Sequence, residues 1–150
     1  GFLVIKTVKD NTEPGLTARY KYANEVVKKY GKNNCIFVSI HINAAGNGGW
    51  MKATGWSVYT NPNRSGDSLP LAKHITNAHQ RLGVHFHGGN ALRNGNFTVI
   101  TCVKCPTVLT ENLFMDSKSD VAKLKDNNFV NKLVTAHVNG ICSYFNSRKK

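Results

Sequence analysis

Acidic residues are what this sequence is short of. Eight Asp and Glu stand against twenty Lys and Arg, a formal charge of +12 at pH 7. Such a surplus favours a polyanionic partner, whether nucleic acid, an anionic membrane or an anionic wall polymer, and charge alone does not choose among them. The cations are dispersed from Lys6 to the terminal "RKK". No helix concentrates them on one face and no aromatic–basic run of the RNP type occurs, so specific nucleic-acid binding is not expected. Long apolar runs are also missing: none approaches the roughly 18–20 residues that cross a bilayer, so no transmembrane segment is expected. The opening "GFLVI" is too short for a signal-peptide core and has no basic stretch ahead of it. The four cysteines, at 35, 102, 105 and 142, are too few and too uneven for a disulfide framework. Cys102 and Cys105 form one CxxC without a second, placed before Pro106 and not at a helix N-terminus, so they read as two ordinary thiols.

What is present alternates. "FLVI" reads as a short buried strand. "LTARYKYANEVVKKYG" then puts Leu16, Tyr20, Ala23, Val27 and Tyr30 on one helical face, with Gly31 as its stop. "CIFVSIHI" is a continuous apolar, β-branched run of the kind covered on both sides in a sheet. "TGWSVYT" reads as another strand and "SLPLAKHITNAHQRLG" as a helix with Ser68 as N-cap. Residues 84 to 96 read as a loop, "NFTVIT" and "PTVLTE" as two further strands, and "NNFVNKLVTAHVNGICSYF" as a closing amphipathic helix. The expected fold is a single α/β domain over 1–150, a three-layer sandwich on a mostly parallel sheet with helices on both faces. Its first strand begins so near residue 1 that an element is expected before it.

Ligands collect at the carboxyl ends of strands in open α/β sheets. His41 ends one expected strand and Glu111 another. Neighbouring strands at about 5 Å spacing would bring the imidazole and the carboxylate to one rim. Neutral imidazole is a common metal ligand, and a carboxylate beside it can relay protons. Among the other histidines, His85 and His87 would point the same way if extended, which makes them the first recruits to such a site. His74 and His79 are five apart, the wrong spacing to meet on a helix. His137 lies on the apolar face of the last helix and reads as a core residue. Glu13, Glu25, Asp67 and Asp116 show no compelling pairing, and Asp116 is expected near the N-terminus of a following helix.

"VSIHINA", followed about seventy residues later by "CPTVLTENLFMDSKSDVAKLKD", resembles the zinc-dependent N-acetylmuramoyl-L-alanine amidases of the Amidase_3 type. "DNTEPGLTARYKYANEV" resembles that family's Asp, Leu-x-x-Arg and Ala-Asn helix, and "ATGWSVYTNP" and "LAKHI" resemble the elements that follow. The resemblance implies hydrolysis of the amide between N-acetylmuramic acid and L-alanine of the peptidoglycan stem peptide. It implies one Zn2+ ion with His41 as a ligand, Glu111 as the catalytic carboxylate, and Asn43, Arg93 and Asn112 as residues touching substrate. The family's pattern opens with a Gly-His-Gly-Gly-type turn and a Glu, both metal-binding, and nothing before "GFLVIKT" supplies them. "HFHGGN" comes after "SIHIN" and reads as a glycine-rich loop. The chain is therefore expected to be an N-terminally truncated amidase domain with an incomplete ligand set. Its expected partner is peptidoglycan, its expected state a monomer, and its expected place extracytoplasmic or phage-delivered. The alternative is an inactive module of the same fold that binds peptidoglycan without cutting it.

Overall fold

A computed structural model describes residues 1–148 except Asn11 and Asn47, and it leaves out the side chains of Arg64, Ser65 and Asp67. Lys149, Lys150 and the Asp67 carboxylate thus lie outside the described residues. In chain order the elements are α1 (Leu16–Tyr30), β1 (Phe37–Asn43), β2 (Trp56–Thr60), α2 (Ser65–Arg81), β3 (Leu92–Asn94), α3 (Thr98–Cys102), β4 (Thr107–Phe114), α4 (Lys118–Leu124) and α5 (Asn127–Ser147). The strands form one sheet in the order β1-β4-β2-β3. β1 runs parallel to β4 and β2 parallel to β3, while β2 and β4 are antiparallel. Two of the three pairings are parallel, as the apolar strand runs predict, and the third makes the sheet mixed.

Alternation along the strands divides the core into two layers. Trp56, Val58 and Val108 face α2 and α5, meeting Leu71, Ala72, Ile75, Leu133 and Tyr144. On the other face Leu109 packs against Val99 and Ile100 of α3, and Ala23 and Val27 of α1 pack with Val103 and Cys105. This is the three-layer sandwich. α1 stops where expected: Gly31 takes φ 83°, a left-handed conformation open to glycine, and its N–H returns to Val27 O at 2.8 Å. α5 starts on Asp126, whose side chain accepts from Asn128 N–H at 2.9 Å. α2 and α5 approach closely because residue 140 is glycine; a Cβ there would lie 2.5 Å from Ile75 Cα.

Several local expectations are overturned. "FLVI" forms no strand; Leu3 and Val4 are 71% and 79% exposed, and no strand among the described residues pairs with them. "NFTVIT" folds as the helical turn α3, with Ile100 N–H and Thr101 N–H both returning to Phe97 O. Its β-branched run suits a strand, but burial of Val99 and Ile100 over Leu109 outweighs that propensity. β3 arises inside the expected loop. Ser68 lies within α2 and does not cap it; its hydroxyl accepts from Thr107 N–H at 3.0 Å.

Two histidines lie deep between α2, α5 and the sheet. His79 is fully buried and stacks on Trp56 with ring centroids 3.9 Å apart. His137 meets it edge-on at 4.6 Å. His79 Nδ1–H donates to Ile75 O at 2.9 Å, and Nε2 is buried without a partner. Burial, and then the neighbouring His137, push the His79 pKa down to about 3, and burial lowers that of His137. Both rings are therefore neutral in the folded state at neutral pH. A depressed histidine contributes stability that is present above its unfolded pKa of about 6.5 and is lost as pH falls toward the folded value. Wild type is thus expected to lose melting temperature relative to His79→Phe as pH falls from 6.5 to 4, measured by circular dichroism. A constant difference between the two proteins across that range would contradict this.

Candidate active site

The parallel pairing of β1 with β4 places His41 directly beside Glu111. Side chains opposite each other in a register share a face, here the one carrying Ser39 and Leu109. Neither residue ends its strand as the sequence predicts. Both are followed by further strand residues, but theirs is the last regular pair: the next in register is Asn43 with Phe114, so β4 inserts one extra residue. The bulge is marked by Leu113, a non-glycine residue at φ 70° held by near-complete burial. Bulges of this kind re-aim side chains at sheet rims, and a bulky residue in that conformation stores about 1–3 kcal/mol of strain.

Glu111 is half-buried, and its Oε2 is enclosed without a hydrogen-bond partner. Desolvation pushes its pKa up to about 7. A carboxyl there exchanges protons readily near neutral pH in both directions, the property a general acid and base requires. His41 is also half-buried; burial first, and then the Arg19 charge, lower its pKa, so its imidazole is neutral. Its Nε2 lies 2.7 Å from Ser39 Oγ. Arg19, from α1, is fixed by Pro14 O at 2.8 Å and by Glu13 at 3.2 Å.

The three expected substrate contacts are placed differently. Asn43 follows on β1, its Oδ1 accepting from Ala44 N–H at 2.9 Å. Arg93 sits on β3 with one guanidinium nitrogen donating to His87 O at 2.7 Å. Asn112 is turned to the opposite face and is 6% exposed. Its amide donates to His41 O at 3.0 Å and to Thr110 Oγ1 at 3.2 Å, and its carbonyl oxygen accepts from Trp56 Nε1 at 3.0 Å. Thr110 Oγ1 lies in turn 3.1 Å from His137 Nε2. This polar chain ties the His41 backbone to the core beneath it. Sequence reasoning missed the chain; the indole N–H of a strand tryptophan, which must find an acceptor when buried, was the available signal.

His41, His85 and His87 form no three-donor group. The His87 ring packs on Phe114 at 4.8 Å, and its Nδ1–H donates to Thr54 O at 3.0 Å. Asp116 precedes α4, but its Oδ2 accepts from Ala45 and Gly46 N–H at 2.8 and 2.9 Å, fastening the loop after β1 while Ser117 takes the cap position. Among the described residues no group of three or more His, Cys, Asp or Glu could hold a metal ion. A catalytic zinc site takes three protein donors. The residues described here do not by themselves fit that metal.

An α/β sandwich that presents a carboxyl poised near neutrality beside a neutral imidazole, just before a strained bulge, has the framework of a hydrolytic domain. The chain belongs to the N-acetylmuramoyl-L-alanine amidase family, whose model matches residues 1–143. It is 30% identical to the endolysin of Bacillus phage SPP1, aligned over 99% of this chain and 59% of that protein. It is 32% identical to the N-acetylmuramoyl-L-alanine amidase CwlM of Bacillus licheniformis, over 89% of this chain and 47% of that one. The chain thus spans about half the length of these two relatives. Among solved structures it superposes on the catalytic domain of CwlV, an N-acetylmuramoyl-L-alanine amidase from Bacillus (Paenibacillus) polymyxa var. colistinus, with a TM-score of 0.79 at 26% identity, covering 96% of this chain and 73% of that one. An N-acetylmuramoyl-L-alanine amidase from Clostridium difficile 630 gives a TM-score of 0.78 at 26% identity, covering 92% of this chain and 69% of that one.

Replacing Asn112 by Ala would remove the amide that links His41 O, Thr110 Oγ1 and Trp56 Nε1–H, leaving the buried indole N–H unsatisfied. A loss of about 2–4 kcal/mol in urea unfolding is expected; a loss within about 0.5 kcal/mol, the usual range at a surface position, would contradict the structural role.

Proposed function

We propose that this chain carries a peptidoglycan hydrolase domain that cleaves the amide joining N-acetylmuramic acid to L-alanine of the stem peptide. The observation that carries the reading is the in-register pair of His41 and Glu111, with the carboxyl held near pKa 7 by burial. Ionised Glu111 takes a proton from the attacking water, and the same carboxyl, now neutral, returns it to the leaving nitrogen. Asn43, two residues after His41 on β1, and Arg93 on β3 are the proposed substrate contacts. The net charge of +12 supports the same substrate, because stem-peptide carboxylates and wall phosphates would hold a basic protein close. Action outside the cytoplasm, or delivery by a phage, follows from that substrate.

The zinc implied by the resemblance would need donors beyond His41 and the other described residues. Among the described residues β1 is an edge strand with one neighbour, and its Ile40 and Ile42 are 67% and 45% exposed. An open, apolar edge of this kind invites a further strand. The second reading, a wall-binding module that does not cut, is favoured by the absence of a three-donor cluster among the described residues.

Incubation with purified peptidoglycan and added zinc separates the readings. The hydrolase reading expects new L-alanine amino termini, with release falling about 10²-fold or more in Glu111→Gln while the melting temperature is retained. Co-sedimentation with the wall without release supports the second reading. Neither release nor co-sedimentation would overturn both.

A further inference from the structure

Glu111 has a second cross-strand neighbour. β2 runs antiparallel to β4, and Ser57 is paired with Glu111 in that register, so the row across the sheet reads His41, Glu111, Ser57. Directly opposite residues put their Cβ atoms about 4.5–5.5 Å apart on one face. Ser57 is fully buried, and its Oγ has no hydrogen-bond partner. Glu111 Oε2 is likewise enclosed and unpartnered. Buried polar atoms without partners are rare in folded proteins, and two on adjacent positions of one face call for a common explanation. Each is the group the other lacks. A hydroxyl donates to an ionised carboxylate and accepts from a protonated one, so it suits a carboxyl that must pass through both states.

We propose that Ser57 is a positioning residue for Glu111, its hydroxyl orienting the carboxyl toward the His41 side of the sheet and holding it there in either protonation state. Ser57 touches neither substrate nor metal in this scheme and acts through Glu111. The inference deepens the hydrolase reading and takes from it the use of Glu111, but its test needs no substrate.

The test is a double-mutant cycle read by thermal melting at pH 8, with Ser57→Ala, Glu111→Ala and the two combined. If the side chains are partners, losing the serine leaves a buried carboxylate unsupported, and removing that carboxylate then becomes more favourable. Glu111→Ala is therefore expected to raise the melting temperature by roughly 3–6 °C more in the Ser57→Ala background than in wild type. Ser57→Thr, which keeps the hydroxyl, should restore the wild-type response to Glu111→Ala. Additive shifts, with the same response to Glu111→Ala in both backgrounds, would overturn the proposal. So would a Ser57→Val variant that restores the wild-type response as Ser57→Thr does, because valine carries no hydroxyl. Loss of wall hydrolysis with the coupling intact would instead count against the hydrolase reading and leave the pairing standing.

Discussion

The register between β1 and β4 is the constraint on which the rest depends. Shifting either strand by one residue would send His41 or Glu111 to the opposite face and bring an aliphatic or threonine side chain to the site. Two packed layers prevent the slip. Val38 and Val108 are held against α2 and α5, while Phe37 and Leu109 are held against α1 and α3. Asn112 adds a side-chain tie from β4 to the His41 carbonyl, and Trp56 ties Asn112 to β2. The bulge after Glu111 then ends the regular ladder, so the polar pair falls where close pairing gives way to loops.

Burial gives the carboxyl its chemistry and costs the fold something. An enclosed oxygen without a partner disfavours ionisation, which is why the pKa of Glu111 rises to about 7. The sign follows by linkage: the folded state binds this proton more tightly than the unfolded chain. The stability it contributes is full below about pH 4.5 and is lost as pH rises through 7. The buried histidines work in the opposite sense, losing stability in acid. A core that keeps His79 and His137 neutral and a site that keeps Glu111 near half-protonation therefore favour one working range around neutrality.

Much of this was legible in the sequence. The helical spacing of Leu16 to Tyr30, the Gly31 stop and the amphipathic α5 are local patterns, and each formed as its period predicts; the apolar β1 run formed a strand, but one at the sheet edge with Ile40 and Ile42 exposed and not covered on both sides. The His41 and Glu111 pairing was readable only as a possibility, because register is set by contacts between segments some seventy residues apart. "FLVI" and "NFTVIT" misled for a related reason. Both have strand composition, but one has no partner strand among the described residues and the other is drawn over Leu109 as a helical turn. Ser57 carried no signal at all. A serine in a strand is unremarkable until the antiparallel pairing puts it beside a buried carboxyl.

The central claim is that the fold itself poises Glu111, and a single titration tests it most directly. Glutamate carboxyl carbons labelled with 13C, with Glu111 assigned by its disappearance in Glu111→Gln, can be followed by NMR from pH 3 to 9. The structure calls for a midpoint near 7 for Glu111. A midpoint at the ordinary glutamate value near 4.5 would mean that the carboxyl is solvated and not poised, and the account of the site would fail.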